Sequence, residues 1–343
     1  MKKREKMKII SLFLCMAVFI LGSSSCNNSS EPPYPDDSNA TAGSRDYVWQ
    51  ADTIKNPFIY LRSIWGNSTI NLWATGDLAS GALYRYDGYK WYQDNRVYIS
   101  DPQGIWGYGD KVWVGNDQGC IWKFSGNSII QQVKDFTIDG QLITFPNMAG
   151  SSETEIYAAG DVRHKSLTHL MKYDGTKWNL DKVLGDLGGF NQIKFIPKED
   201  KYYLVSNFAD YSQKIYEYDR QSFKLLLSYP PTKTGPTIAE IDGYLYTVID
   251  KKIFRYYKGR DELILEINLP NFGGVIWGRN RNDIFIRMLD GLAHYDGKDV
   301  KYLFKTSNNI MMAPNMVIFE KDVFVTCKDY TKNCNIVYHG KLK

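Results

Sequence analysis

The chain has 343 residues, and its 42 Lys and Arg against 38 Asp and Glu leave a formal net charge of only +4. Part of that excess sits in the first eight residues, at Lys2, Lys3, Arg4, Lys6 and Lys8. The remainder is near neutral, with no basic stripe, which argues against a nucleic-acid partner. Aromatic residues make up 15% of the chain, with 25 Tyr and 9 Trp. That load suits ring layers packed between repeated units, with some rings left over as ligand platforms.

The charged start is followed by an apolar run over residues 9–21. The run is too short and wrongly flanked for a resident transmembrane helix and reads as an export leader. It ends at Gly22-Ser23-Ser24-Ser25-Cys26. Small residues directly before a Cys resemble a bacterial lipobox, with Ser23 standing where Leu is commonest. The resemblance implies a signal peptide over 1–25 and lipidation (palmitate) of Cys26, the first mature residue. An ordinary signal peptide with a chance Cys is the alternative. Residues 26–45 run through Ser, Pro, Asp, Asn and Gly without apolar periodicity, as a flexible tether does. The expected location is the bacterial cell envelope, lipid-anchored in the outer membrane and facing the periplasm or the cell surface.

Residues 46–343 repeat one phrase at roughly forty-residue spacing, the signature of a β-propeller. The clearest copy reads Ile64-Trp65-Gly66, Leu72-Trp73-Ala74-Thr75-Gly76, Gly81, Tyr86-Asp87-Gly88 and Trp91. Others carry Ile105-Trp106-Gly107, then Tyr173-Asp174-Gly175 with Trp178, then Ile276-Trp277-Gly278 with Tyr295-Asp296-Gly297. Fainter copies end at Tyr218-Asp219-Arg220, Tyr257-Lys258-Gly259 and Tyr338-His339-Gly340. Each unit reads as four strands, with Asp-Gly supplying the positive φ of a tight turn. The last unit lacks its fourth strand, and Tyr47-Val48-Trp49-Gln50-Ala51-Asp52 has the pattern of a fourth strand with no unit before it. The expected fold is therefore all-β: a seven-bladed propeller whose last blade is closed by the N-terminal strand, which removes free sheet edges.

These units resemble two bacterial propeller families. One is a group of secreted propellers with an Ile-Trp-Gly, Val-Trp-Ala-Val-Gly, Tyr-Asp-Gly, Trp consensus; the other is the propeller of two-component sensors, whose second strand resembles Lys111-Val112-Trp113-Val114-Gly115. The resemblance implies the fold and is weak for activity, since propellers host enzymes, receptors and scaffolds alike.

Of the remaining cysteines, Cys120 reads as a small buried residue, while Cys327 and Cys334 flank a six-residue turn and are candidates for a cross-strand disulfide. No paired CxxC supports a metal, and no cofactor motif is present. His294 and His339 fall in the repeated region and read as structural. No Gly-x-Ser-x-Gly elbow occurs. Three long turns between second and third strands should share one rim. They offer Arg163, His164, Phe208, Asp210, Tyr211, Asp329 and Tyr330 as ligand-binding candidates. Rings for stacking beside hydrogen-bonding groups suit a glycan or a protein ligand. The expected function is a membrane-anchored, exported, non-catalytic binding or scaffold propeller. The alternative is a glycan-active hydrolase or lyase on the same frame.

Overall fold

The computed structural model describes residues 35, 37, 40–56, 59–77, 82–163, 165, 167–185, 187–231 and 235–343. Cys26, the leader and His164 lie outside the described residues. Seven four-stranded antiparallel sheets follow one another along the chain, with a two-residue hairpin (Thr137–Ile138 and Gln141–Leu142) between the second and third. Their first strands are Tyr60–Ser68, Pro102–Tyr108, Asn147–Ser152, Gly189–Ile196, Thr237–Ile241, Phe272–Asn280 and Ile310–Ile318. These define blades 1 to 7 and stand innermost, around a central channel. Second strands are buried on both faces, because each is sandwiched between neighbouring blades. Val112, Trp113 and Val114 of blade 2 and Tyr202 to Val205 of blade 4 are 0–1% exposed. This is why those strands read as continuous apolar runs rather than as alternating ones.

The Ile-Trp-Gly phrase is a device for stacking blades. A Cβ on Gly107 of blade 2 would stand 2.4 Å from the Trp65 ring of blade 1, and one on Gly150 of blade 3 would stand 2.6 Å from Trp106 of blade 2. The ring of one blade thus lies flat on the bare backbone of the next, and only Gly admits it. Phe319 plays the part of Trp across the blade 7 to blade 1 junction, 3.3 Å from the Gly66 position.

The Tyr-Asp-Gly phrase builds the turn between third and fourth strands. Asp87 Oδ1 accepts the backbone N–H of Tyr89 and Lys90, Asp174 Oδ1 those of Thr176 and Lys177, and Asp296 Oδ1 those of Lys298 and Asp299. Gly88, Gly175 and Gly297 follow with φ of 90–95°, the region that favours Gly. Blade 4 departs from this rule and places Arg220 there at φ 75°. Its guanidinium reaches back to blade 3, donating to Glu155 through Nε at 3.0 Å and Nη2 at 2.9 Å, and to Asp200 Oδ1 at 2.8 Å. Burial alone would raise the Glu155 carboxyl, but the bonds from Arg220 and Ser151 hold it down at about 2. The strained backbone is retained for an inter-blade ion pair.

The ring closes through Tyr47–Ile54, which pairs antiparallel with Cys334–Leu342 from Tyr47↔Leu342 to Ile54↔Asn335. Trp49 packs edge-on against Phe304 of blade 6 at 4.7 Å. His294 and His339 are structural: each Nε2 bonds an Asp on the neighbouring strand, Asp283 at 2.7 Å and Asp322 at 2.6 Å.

Two expectations need correction. Cys327 and Cys334 are free, buried thiols. The register sets Cys327 opposite Ile336 and Cys334 opposite Asp329, so the two sulfurs are diagonal neighbours on one face rather than a facing pair. Both belong to the apolar core of blade 7. The tether also ends earlier than residue 45: the compact unit begins at residue 36. Asp37 forms a bidentate pair with Arg255, Nη1 at 2.7 Å and Nη2 at 2.8 Å, and a further bond from Arg281. Gly43 N–H donates to Asn282 O at 2.8 Å, and Arg45 pairs with Asp296 at 2.8 Å and Asp299 at 2.7 Å. Polar composition alone cannot tell a tether from a strap held by ion pairs.

Candidate functional site

Antiparallel order divides the turns between two faces of the ring. Turns joining first to second and third to fourth strands share the lower face. Turns joining second to third strands share the upper face with the links between blades. Arg163, Phe208, Asp210, Tyr211, Asp329 and Tyr330 all lie in or beside second-to-third turns, at 162–167, 207–213 and 329–334 of blades 3, 4 and 7. The upper face therefore holds them, with blade 7 three blades away from both others.

Their roles differ. Tyr211, at φ 64° and 79% exposed, and Tyr330, 58% exposed, present rings to solvent. Phe208 is covered by Lys214, whose Nζ stands 4.3 Å from the ring centroid. Asp210 Oδ1 accepts Ser212 N–H at 2.9 Å and its hydroxyl at 2.6 Å. Asp329 is buried and accepts the N–H groups of Thr331 and Lys332, both at 2.9 Å. Both carboxylates thus stabilise their own turns. Arg163 is spent on Asp117 of blade 2.

The first strands supply groups that loop reasoning missed. In blades 1, 2, 4, 6 and 7 the pairing of the first strand slips, between Leu61 and Ser63, Pro102 and Ile105, Phe190 and Gln192, Phe272 and Ile276, and Met312 and Met316. Each slip is a bulge near the upper mouth of the channel, and bulges re-aim side chains and backbone groups. The outer side of an innermost strand is occupied by its own blade. Exposed residues on the innermost strands include Arg62, Asn191, Lys194 and Glu240.

Lys194 makes no hydrogen bond or ion pair with any described residue. Its side chain is exposed, and desolvation lowers its pKa, opposed by the charge of Glu240 on the next blade. Glu240 Oε1 is engaged with Gly243 N–H at 2.6 Å. At the upper end of blade 6, the Arg287 guanidinium donates, among the described residues, to the carbonyls Met312 O at 3.1 Å and Gly273 O at 2.9 Å, and burial lowers its pKa. Asp161, against Gly189 of blade 4, has its carboxyl raised by burial with nothing opposing. The Asp117 carboxyl is raised by burial first, then by the charge of Asp101, against the pull of Arg163. Asp101 sits at φ 45°. Among the described residues no group of three or more His, Cys, Asp or Glu is placed to hold a metal ion.

No protein-family model and no curated protein matches the chain. Solved structures do. A catalytically inactive virginiamycin B lyase from Staphylococcus aureus with quinupristin is similar at a TM-score of 0.63 and 12% identity, covering 85% of this chain and 99% of that one. YCF48 bound to D1 peptide is similar at 0.63 and 14%, covering 88% and 100%. The extracellular domain of a hybrid two-component system from B. thetaiotaomicron is similar at 0.60 and 14%, covering 84% of this chain and 39% of that one. The fold is shared; at these identities the likeness goes no further.

His169, below the mouth, is fully buried, bonds Thr144 O at 2.9 Å through Nε2 and leaves Nδ1 without a partner. Burial lowers its pKa to about 4. The unfolded chain, near 6.5, takes a proton that the fold refuses. His169 therefore contributes stability that is complete above 6.5 and is lost as pH falls toward 4, by about 3 kcal/mol in full. Denaturant midpoints between pH 7 and 4 should fall less steeply in His169→Gln; identical slopes would remove His169 from the acid sensitivity.

Proposed function

We propose that this protein is an exported, membrane-anchored propeller that binds a glycan or protein ligand on its upper face without transforming it. One observation supports this above the rest: at the upper end of blade 6 the Arg287 guanidinium donates to carbonyl oxygens and to no carboxylate among the described residues. Buried charge without a partner is costly, and such groups concentrate where a ligand completes them. Exposed Tyr211 and Tyr330 on the same face add rings that stack on sugar or peptide groups. The anchor rests on the leader and Cys26, and predicts that Cys26→Ala leaves the membrane fraction.

Residues 36–343 should be probed on a glycan array, with a peptide library as the second arm. Any ligand found should bind Tyr211→Ala with Tyr330→Ala at least tenfold more weakly, about 1.4 kcal/mol. Full affinity in that variant, with loss on altering lower-face turns, would reject the upper face.

A lyase or hydrolase is the second reading, favoured by the Asp101–Asp117 pair beside Arg163. A carboxyl with a raised pKa beside a second carboxyl is an acid–base arrangement. Turnover of a bound glycan, abolished in Asp117→Asn with binding retained, would establish it.

A further inference from the structure

The lower face, opposite the proposed upper-face site, carries a cavity of about 340 Å³ between blades 4 and 5. Its walls are the turn 196–201, between the first two strands of blade 4, and the turn 257–260, between the last two strands of blade 5. Strand register sets its base. Tyr203 pairs with Glu217, and Glu217 with Lys224, so these side chains form one row across blade 4. The row faces blade 5, where the Tyr256 ring stands 6.0 Å from that of the buried Tyr203.

The carboxylates here are engaged. Glu217, 7% exposed, accepts from Lys201 Nζ at 2.5 Å and stands 3.4 Å from the Tyr203 hydroxyl. That hydroxyl donates to Glu199 Oε2, while Glu199 Oε1 accepts the Lys258 N–H at 3.0 Å. The other lysines of the cavity keep charge to offer. Lys224 and Lys258 pair with no carboxylate among the described residues. Lys198 rests over the Tyr244 ring, 3.7 Å from its centroid, with the exposed Asp242 at 3.5 Å. These three line the cavity from three separate elements. Ammonium groups without a guanidinium among them suit a phosphoryl group, which takes point charges from several directions. A planar carboxylate is better matched by the Arg fork. The volume is at the small end of the roughly 300–1,000 Å³ that ligand pockets span, enough for one sugar ring beside the phosphoryl group. The lone pairs left on Glu199 and Glu217 can accept its hydroxyls.

We propose that this lower-face cavity binds a phosphorylated sugar, with Lys198, Lys224 and Lys258 on the phosphoryl group and Glu199 and Glu217 on the hydroxyls. The site is separate from the upper-face one, and either can fail alone.

Glucose 6-phosphate and glucose 1-phosphate are the probes, titrated calorimetrically into the full chain. At least one should bind with a Kd of about 1 mM or tighter. Glucose should not bind, and inorganic phosphate and glucuronate should bind at least about tenfold more weakly. Lys224→Gln with Lys258→Gln should weaken the sugar phosphate at least about tenfold, with unchanged thermal unfolding as the check on folding. Lys252→Gln with Lys332→Gln removes the same charge from two exposed upper-face lysines and should change nothing. Absence of binding by both sugar phosphates, or equal weakening by the two pairs of substitutions, would overturn the proposal. Inorganic phosphate binding as tightly as the sugar phosphate would overturn it in favour of an adventitious ion only. Binding to phosphatidylglycerol vesicles that neither sugar phosphate displaces would overturn it in favour of a lipid headgroup.

Discussion

A chain beginning at residue 55 is expected to unfold at least roughly 10 °C below one beginning at residue 36. It lacks Tyr47–Ile54, the outer strand of blade 7, and with it the eight-residue ladder to Cys334–Leu342. Tyr47 and Ile54 are buried, at 9% and 6% exposed, and Trp49 packs on Phe304 and over Gly340. Burying large apolar side chains contributes about 1.5–3 kcal/mol each, so three amount to at least about 5 kcal/mol. For a chain of this size each kcal/mol is worth roughly 2–4 °C. The exposed edge of Cys334–Leu342 should also self-associate, since unpaired ladder groups template another strand. A synthetic peptide of residues 46–54 added in trans should restore the transition. Equal melting of the two truncations, measured by calorimetry, would mean that the ring is held without this strand.

The ring closure was legible because an orphan fourth-strand pattern and an incomplete last unit can be matched by counting. The blade stacking was legible for a similar reason. Trp65 and Gly107 recur at fixed places because each is the other's packing partner in the adjacent unit, and repetition exposes such pairs. The site was less legible. Turn residues such as Asp210 and Asp329 look available in a sequence, but short acidic side chains in turns commonly bond their own backbone. Lys194 and Asp161 escaped notice because they lie in or at the ends of strands. Their interest comes from what surrounds them, and neighbouring blades are forty residues away in sequence. The Cys327–Cys334 pairing failed on register alone, where a two-residue offset turns a facing pair into a diagonal one. Arg220 is the instructive departure. It breaks the Tyr-Asp-Gly rule at the position where the fold needs a cation for Glu155 of the preceding blade.

The strap upstream of the first strand carries the second large effect. Arg255 is fully enclosed, with its side chain 1% exposed, and its charge is met by Asp37 at 2.7 Å and Glu262 at 2.5 Å. Arg281 binds the same two carboxylates, Glu262 at 3.2 Å. Burial would raise the Asp37 carboxyl, but the two guanidinium groups hold it below its usual range. Asp37→Ala should leave two cations against one anion in a site that water barely reaches. Breaking a buried pair from one side costs several kcal/mol, whereas replacing both partners by apolar groups is close to neutral. Glu262 also remains to share the load, so about 2–4 kcal/mol and a fall of roughly 5–10 °C are expected. Arg255→Met added to Asp37→Ala should recover most of the loss, because Arg281 still neutralises Glu262. The double-mutant cycle isolates the coupling. An unchanged melting temperature in Asp37→Ala would return residues 36–45 to the tether. A coupled loss would make the strap part of the fold.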